Sequence, residues 1–499
     1  MQADSDAADR RYLTGVEGLD AILDGGLPQE RLYVIQGAPG TGKTTLALQF
    51  LLEGVRQGQR GLYVTFSETK KELLQVARSH SWDISKLALL ELSSIEEKLK
   101  PEAQNTMFYP SEVELSQVTQ ILLTEVDRVK PERIVFDSVS EMLLLAESPL
   151  RYRKQILALK QEFLVRKSTV LFLDDLTSTG RDLQIQSIAH GVIQLERVHK
   201  EFGGARRRLS IVKLRGSTFV EGNHDYVIKR GGIVLFPRMV SANFDEKSDY
   251  STVSSGNAGL DALLGGGLDR GTSNLFIGPA GTGKSTIAVR CALSAAERGE
   301  KVSIFLFDEN VGTYKARVKD LGMNLSKHLE SGLIRIQKVD PAELSPGEFS
   351  KTIRDSVEKD EVQFVLIDSL NGYVHAMPQE EHLILQLHEL LSYLNSQSVV
   401  TIFVLAQQGT IGSMQSPVDL TYLADTALLT RFFESNGSIR KAISIIKKRS
   451  GQHESTIREL EIDNDGVRVG PALTQFQGVL TGVPSLTAPL PKSNIENKG

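Results

Sequence analysis

The stretch that decides the fold is Gly37-Ala-Pro-Gly-Thr-Gly-Lys-Thr-Thr45, which returns later in the chain as Gly278-Pro-Ala-Gly-Thr-Gly-Lys-Ser-Thr286. Both copies fit the pattern G-x-x-x-x-G-K-[ST], and each stands between an apolar run typical of a buried strand and a helical pattern. The glycines let backbone N–H groups point at phosphate oxygens, and the following helix contributes its positive end. We therefore predict two phosphate-binding loops. The residues predicted to contact the nucleotide are Gly37, Gly40, Thr41, Gly42, Lys43, Thr44 and Thr45 in the first copy, and Gly278, Gly281, Thr282, Gly283, Lys284, Ser285 and Thr286 in the second.

The repeat extends well beyond these loops. Gly15–Leu27 returns as Gly256–Leu268 at the same offset of 241 residues that separates the two loops. An offset of about half the 499-residue chain indicates a duplicated domain rather than a short repeat unit. We predict a first domain over 1–240, a second over 253–470, and a flexible tail over 471–499, where prolines punctuate a polar segment.

Short apolar runs alternate with helical patterns in both halves. In the first half the strand candidates are Leu32–Gln36, Gly61–Phe66, Arg133–Phe136 and Val170–Leu173. Runs buried on both faces and separated by helices are typical of a parallel sheet covered by helices. Later runs, around 209–236, indicate antiparallel hairpins. The predicted class is therefore α/β, with two tandem P-loop domains, each a mostly parallel central sheet flanked by helices with an antiparallel extension.

Each half also supplies residues suited to a magnesium ion and its phosphates. Lys43 and Lys284 are expected to neutralise the β- and γ-phosphates, as the lysine of such loops does. The hydroxyls of Thr44 and Ser285 are expected to bind Mg²⁺. An acid also ends a later apolar run in each half. We predict metal-binding roles for these two acids, Asp137 and Asp368.

ATP hydrolysis further needs a group that orients or deprotonates the attacking water. Glu68 and Glu309 each follow a strand candidate and lie 25 residues after the loop lysine. We predict that they are the catalytic bases; a solvated loop carboxylate is the alternative. The second half adds Asp308 directly before Glu309, where the first half has Ser67.

A pair of cations ends a late strand candidate in each half. These are Lys213 with Arg215, and Lys447 with Arg449. A cation fixed near the γ-phosphate accelerates phosphoryl transfer strongly, and in a ring such residues reach the nucleotide of the neighbouring subunit. A polar strand face directed at solvent is the alternative interpretation.

The composition limits the remaining possibilities. The net charge is −5 and aromatic residues make up 6% of the chain, so a nucleic-acid-coating surface is not expected. The single cysteine excludes an intramolecular disulfide and a cysteine-based zinc site, and it favours a reducing cytoplasm. No apolar run approaches the length needed to cross a bilayer, and Met1–Asp9 lacks the features of a signal peptide. We expect a cytoplasmic protein without membrane contact.

The motifs resemble those of the RecA superfamily and, within it, the KaiC family of double-domain ATPases and autokinases. The resemblance covers roughly 12–470 and includes Lys213-Leu-Arg215-Gly-Ser and Val135-Phe-Asp-Ser-Val139. It implies a homohexamer of two stacked rings with ATP held between subunits. It further implies a first domain that hydrolyses ATP, a second that phosphorylates its own serine or threonine hydroxyls, a role in circadian timing or signalling, and a KaiB-like regulatory partner.

The chain departs from the family pattern at several positions. Aligned on Asp425-Thr426, the Ser-Thr acceptor pair of the family falls on Thr421-Tyr422, and Ser416 lies where another family hydroxyl stands. Thr421, Tyr422 and Ser416 are therefore the candidate phosphoacceptors. The tail after Gly470 does not resemble the KaiA-binding tail of the family.

Two other functions remain compatible with the same motifs. A DNA-dependent ATPase of the recombinase or helicase type would share the fold, although the acidic charge argues against it. A nucleotide-gated scaffold, whose rings assemble with ATP and present a partner surface without kinase activity, would look alike in sequence.

Overall fold

A computed structural model describes residues 10–92, 110–146, 148–176, 183–199, 203–240, 244, 249–375, 383–407, 409, 420–464, 466–481 and 484–486. The chain divides into two compact units, and the division falls between Arg238 and Met239.

The first unit alternates strands and helices as its sequence predicts. Its strands are β1 (Arg11–Tyr12), β2 (Leu27–Pro28), β3 (Leu32–Gly37), β4 (Gly61–Thr65), β5 (Ala88–Glu91), β6 (Arg133–Asp137), β7 (Thr169–Asp174), β8 (Gly191–Val198), β9 (Arg206–Leu214), β10 (His224–Lys229) and β11 (Gly232–Phe236). Its helices are α1 (Leu19–Ile22), α2 (Lys43–Arg56), α3 (Lys70–Ser79), α4 (Pro110–Val129), α5 (Val139–Leu145), α6 (Pro149–Val165) and α7 (Leu183–Ile188).

Nine of these strands form one sheet in the order β11-β10-β9-β8-β3-β7-β6-β4-β5. The six strands from β8 to β5 pair in parallel, whereas β9, β10 and β11 are antiparallel. The loop after β3 and the acid at the end of β6 therefore lie at the same edge, where the parallel strands end at their carboxyl termini.

The second unit repeats this arrangement. Its strands are β12 (Thr252–Val253), β13 (Leu268–Asp269), β14 (Ser273–Pro279), β15 (Val302–Leu306), β16 (Ile334–Lys338), β17 (Phe364–Asp368), β18 (Val400–Gln407), β19 (Thr426–Ser435), β20 (Ser438–Lys448), β21 (Arg458–Asp463), β22 (Gly466–Ala472), β23 (Phe476–Gln477) and β24 (Ser485–Leu486). Its helices are α8 (Ala258–Leu263), α9 (Lys284–Glu297), α10 (Val311–Asp320), α11 (Ser326–Glu330), α12 (Pro346–Glu358), α13 (Leu370–His375) and α14 (Leu383–Ser396), and a 3-10 turn covers Val479–Thr481.

The main sheet of the second unit has the order β16-β15-β17-β18-β14-β19-β20-β21-β22, which is the order of the first sheet read from its other end. Again the central strands are parallel and the last three antiparallel. The predicted α/β class with two tandem, mostly parallel sheets and antiparallel extensions is confirmed.

Each central strand is buried because helices cover both faces of its sheet. Every residue of β3, β4, β6 and β7 is buried. On one face Tyr33 and Ile35 pack with Phe50 of α2, and on the other Val34 packs with Ile156 of α6. Successive side chains of β3 thus enter two apolar clusters, one on each face of the sheet. This fixes the register of β3 and the position of the loop that follows it.

Part of the predicted tail is folded. Leu473 and Val479 are buried in a small cluster with Phe433 of β19 and Ala442 of β20, and β23 pairs with β24. The sequence predicts a flexible tail from residue 471, and within it these residues are packed, because a few apolar side chains among the prolines contact an apolar surface on the sheet. Residues 487–499 lie outside the described residues.

Arg133 is an unusual residue at the start of the strand that carries Asp137. It is fully buried, and its guanidinium donates to the carbonyls of Leu13 and Phe50 and to the Gln59 amide oxygen at 2.7–2.8 Å. The Phe50 ring also lies 4.6 Å below it. Strand pairing places Phe364 at the equivalent position of the second unit. The first unit therefore holds a charge where the second has a phenyl ring.

We expect Arg133→Ala to lower the free energy of unfolding of the first unit by about 3 kcal/mol, because buried carbonyls lose a charged donor and a cavity remains. Trp82, the only tryptophan of the chain, lies in this unit, and its fluorescence during urea unfolding measures the effect. Arg60→Ala, at an exposed arginine, is the control and should barely move the midpoint. An equally small shift for both variants would contradict the structural role of Arg133.

Candidate nucleotide-binding sites

Each phosphate-binding loop joins the central strand of its sheet to a long helix. Gly42 and Gly283 are the residues before α2 and α9, with φ of 100° and 99°. A Cβ on Gly42 would lie 2.7 Å from Ile228 Cδ1, and one on Gly283 only 2.0 Å from Ile462 Cδ1. Glycine is therefore required by the backbone conformation, and any Cβ would also have to displace these isoleucine side chains. The two helices begin with free N–H groups at the place where phosphates are expected.

Lys43 is buried at the first loop. Its ammonium donates to the carbonyl of Gly37 at 2.7 Å, and it forms an ion pair with Asp175 Oδ1, also at 2.7 Å. Asp175 follows β7, the strand beside β3. The lysine is thus positioned by the loop itself, and its ammonium also contacts a carboxylate.

Thr44 and Asp137, both predicted to bind Mg²⁺, contact each other at the end of β6. The Thr44 hydroxyl donates to Asp137 Oδ2 at 3.0 Å, and the Tyr63 hydroxyl donates to the same oxygen at 2.5 Å. Burial raises the pKa of Asp137, and these two hydrogen bonds oppose that shift. Tyr63 therefore holds the carboxylate in place and helps to keep it ionised.

Glu68 lies on the turn after β4, where the Thr65 hydroxyl accepts from the Glu68 N–H and donates to its carbonyl, both at 2.9 Å. Its Oε2 is buried and has no hydrogen-bond partner among the described residues. Burial, with the nearby carboxylates of Asp137, Glu72 and Asp175 adding to it, raises the pKa of Glu68 to about 7. A carboxylate of this kind is suited to accept a proton near neutral pH.

The second loop borders an open cleft of about 870 Å³, lined by Lys284, Ser285, Asp308, Glu309 and Asp368 among others. Lys284 donates to the carbonyl of Pro279 at 2.6 Å, and burial lowers its pKa to about 8. Ser285 donates to Asp368 Oδ1 at 2.9 Å. In the described part of the chain no carboxylate lies within ion-pair distance of Lys284, in contrast to Lys43.

The two acids after β15 have different partners. Glu309 is held by Arg317 of α10, with Nη2 at 2.8 Å from Oε2 and Nε at 3.3 Å from Oε1. Asp308 accepts a short hydrogen bond from the Ser369 hydroxyl. The structure therefore brings Asp308, Glu309 and Asp368 around the second loop, but the surroundings of Glu309 differ from those of Glu68.

In each sheet, the cation pair lies near the amino-terminal ends of the parallel strands, and the phosphate-binding loop lies at their carboxyl ends. Lys213 pairs with Val192 of β8, next to the start of β3, whereas the loop leaves β3 at its end. Arg215 donates to the Ser187 carbonyl at 3.1 Å. Lys447 of β20 likewise pairs with Ala427, near the start of β14. Within one unit these cations are therefore kept away from their own loop.

Two acceptor candidates lie beside the second cation pair. Lys447 donates to the Thr421 carbonyl at 2.7 Å, and Arg449 donates to the Tyr422 carbonyl at 2.8 Å. The Tyr422 side chain is 53% exposed. Thr421 and Tyr422 thus share an edge with the cations and lie away from Lys284. Ser416, the third candidate, lies outside the described residues.

The oxygen atoms at each site suit Mg²⁺. A hydroxyl and a carboxylate approach within 3.0 Å at Thr44–Asp137 and within 2.9 Å at Ser285–Asp368. Among the described residues no group of three or more His, Cys, Asp or Glu is arranged to hold a metal ion. Mg²⁺ does not need such a group, because it is usually held by one or two protein oxygens together with substrate phosphates and water.

Sequence reasoning missed Tyr63, Asp175 and Arg317. Asp175 carries a readable signal, since it directly follows another acid at the end of a parallel strand. Arg317 lies eight residues after Glu309, on the next helix, and only the geometry of that turn brings them together. Tyr63 lies inside an apolar strand and gives no signal of its own.

Together, these features define a tandem P-loop nucleotide-binding protein with RecA-like domains. The family model described as "ATPase: KaiC" matches residues 12–240 and again 253–474. The chain therefore belongs to the KaiC family of ATPases. The predicted resemblance to this family is confirmed.

Curated relatives match along nearly their whole length. The chain is 26% identical to the circadian clock oscillator protein KaiC of Acaryochloris marina, over 95% of this chain and 91% of the relative. It is 25% identical to the circadian clock protein KaiC3 of Synechocystis, over 95% and 94%. For KaiC of Synechococcus elongatus the identity is 25%, over 95% and 91%. No helix within the described residues is long and apolar enough to cross a membrane.

We expect ATP hydrolysis at the first site to fall as the pH drops through about 7, because Glu68 accepts a proton only in its ionised form. One unit below its pKa the rate should be about a tenth of the plateau. The measurement is steady-state turnover of Lys284→Ala between pH 5.5 and 8.5, which isolates the first site. A rate that stays flat down to pH 5.5 would contradict the elevated pKa.

Proposed function

We propose that this protein hydrolyses ATP with Mg²⁺ at both loops, assembles as a homohexamer, and phosphorylates itself on serine or threonine through its second domain. The domain limits of 1–240 and 253–470 belong to the same proposal, and the extents of the family match support them. A KaiC-type role in circadian timing or signalling, with a KaiB-like regulatory partner, follows from the relatives. We place the protein in the cytoplasm, which agrees with its one free, buried cysteine, Cys291.

The observation that carries this proposal is the separation of each loop from its cation pair. Lys213 and Arg215 lie at the amino edge of the parallel strands, while Lys43 and Glu68 lie at the carboxyl edge. Within the described residues, neither cation pair is therefore placed to serve the loop of its own unit as the cation that accelerates phosphoryl transfer. Copies can associate so that the amino ends of the parallel strands in one copy face the carboxyl ends in the next. The cation pair of one copy then completes the nucleotide site of its neighbour. A head-to-tail contact of this kind forms a ring when the rotation between successive copies closes, as we propose here for six copies.

At each site the residues have separate tasks. Lys43 and Lys284 bind the β- and γ-phosphates, and Glu68 or an acid of the second pair orients the attacking group and takes its proton. Thr44 with Asp137, and Ser285 with Asp368, would hold Mg²⁺, which neutralises phosphate charge when bound. Hydrolysis forms a bond from water oxygen to the γ-phosphorus and breaks the bond to ADP.

Transfer to the protein follows the same route with a hydroxyl in place of water. The Thr421 oxygen attacks the γ-phosphorus, the bond to ADP breaks, and the hydroxyl proton passes to Asp308 or Glu309. Thr421 lies on the same edge as Lys447 and Arg449. A neighbour that brings these cations to a nucleotide therefore brings the acceptor as well.

Replacing the bases tests the hydrolysis. Glu68→Gln should remove the contribution of the first site to ATP turnover, and the double variant with Glu309→Gln should lower total turnover at least about 100-fold, the usual contribution of a general base. Released phosphate is measured on the full chain with Mg²⁺-ATP. Glu358→Gln, in a surface ion pair with Arg354, is the matched control. Turnover that is unchanged in the double variant would refute the assignment of the bases.

Mixed assemblies test the transfer and the ring together. Lys284→Ala keeps its acceptor but cannot use ATP at the second site, and Thr421→Ala retains the loop but lacks the acceptor. After mixing with Mg²⁺-ATP, intact mass and phosphosite mapping should find phosphate on Thr421 of the Lys284→Ala chains, because the acceptor of one copy meets the nucleotide of another. Absence of phosphate from wild type would leave an ATPase without kinase activity. Phosphate on wild type alone, and never in the mixture, would refute transfer between copies.

A further inference from the structure

The two candidate bases are held differently. Glu68 has a buried oxygen without a hydrogen-bond partner in the described ranges, whereas both oxygens of Glu309 accept from the guanidinium of Arg317. The Arg317 and Glu309 side chains are 33% and 28% exposed, so solvent screens this pair only in part. A two-pronged arginine contact fixes the direction of a carboxylate as well as its charge.

The difference comes from one position on equivalent helices. α3 and α10 each have ten residues and begin at the same distance from their loops. At the position of Arg317 the first unit has Val76, which packs against the apolar cluster around α2. The aliphatic residue leaves Glu68 unrestrained, and the arginine restrains Glu309.

We propose that Arg317 is a positioning residue that restrains Glu309, so that water competes poorly for the γ-phosphate at the second site. This inference rests on the proposed role of Glu309 as a base. While both carboxylate oxygens accept from the arginine, their orientation is fixed toward Arg317, and the lone pairs used there are not available to a water molecule. The Arg317 guanidinium also lies over the Tyr314 ring, 5.1 Å from the ring centre, and this contact holds it in position.

Asp308 is left in a different situation. It forms no ion pair with any residue that the structure describes, and its hydrogen bond comes from the Ser369 hydroxyl, next to Asp368. An acid that accepts from one hydroxyl is suited to accept the proton of another. Restraint of Glu309 together with an available Asp308 would preserve ATP at the second site for transfer to a protein hydroxyl.

The test uses the full chain with Lys43→Ala, so that only the second site turns over. Adding Arg317→Val, which supplies the residue of the first unit, should raise kcat for hydrolysis several-fold with little change in KM. Adding Glu309→Gln as well should abolish the gain. Arg317→Lys, with one charge but no two-pronged contact, should give an intermediate rate. Phosphate incorporated per ATP hydrolysed should fall in Arg317→Val.

The reverse exchange guards against a merely structural effect. In a Lys284→Ala background, Val76→Arg should lower the kcat of the first site, whereas Val76→Leu, which adds bulk without charge, should not. Trp82 fluorescence reports whether either variant disturbs the first unit. A fall of equal size in both variants would count against a charge-specific restraint.

Other outcomes overturn the inference in distinguishable ways. An unchanged or lower kcat in Arg317→Val shows that the arginine does not restrain a base. A higher kcat that survives Glu309→Gln shows that Arg317 acts through another group. By contrast, if Glu309→Gln alone leaves turnover of Lys43→Ala unchanged, the proposed base assignment fails, and the inference falls with it.

Discussion

The contact between a helix hydroxyl and a strand carboxylate, Thr44 with Asp137 in the first unit and Ser285 with Asp368 in the second, depends on the parallel pairing of the central strands. Because β3, β7 and β6 run in the same direction, the loop after one and the acid at the end of another reach the same edge. Burial of these strands on both faces fixes their register. A slip of one residue would turn Asp137 to the other face and separate it from Thr44.

On this shared framework the two sites differ at the positions that surround the conserved contacts. Tyr63 of β4 corresponds to Ile304 of β15, and Val76 of α3 corresponds to Arg317. Strand pairing likewise sets Leu405 opposite the second loop where Asp174 stands in the first. Both units keep the glycine-rich loop and the hydroxyl–carboxylate contact, and they differ in the charged and polar residues around them. Two sites of one ancestry therefore have different chemical surroundings.

The sequence was sufficient for the fold and for the loops, because both are local signals. A glycine-rich turn between a strand and a helix specifies its own geometry, and apolar runs specify a buried parallel sheet. The partners of the acids could not be predicted in the same way. Arg317 meets Glu309 through the orientation of α10, and the burial that shifts the pKa of Glu68 is a property of the assembled cluster. The folded part of the tail was missed because Leu473 and Val479 are single apolar residues without periodicity.

The ion pair between Lys43 and Asp175 has a consequence for the nucleotide affinity of the first loop. If a triphosphate bound to Lys43 displaced Asp175, the free energy needed to separate the ion pair would be subtracted from the binding free energy. The first loop would then need a higher nucleotide concentration for half-saturation than the same loop with a neutral residue at position 175. Lys284 forms no such ion pair within the described ranges, so the lysines of the two loops have different electrostatic surroundings.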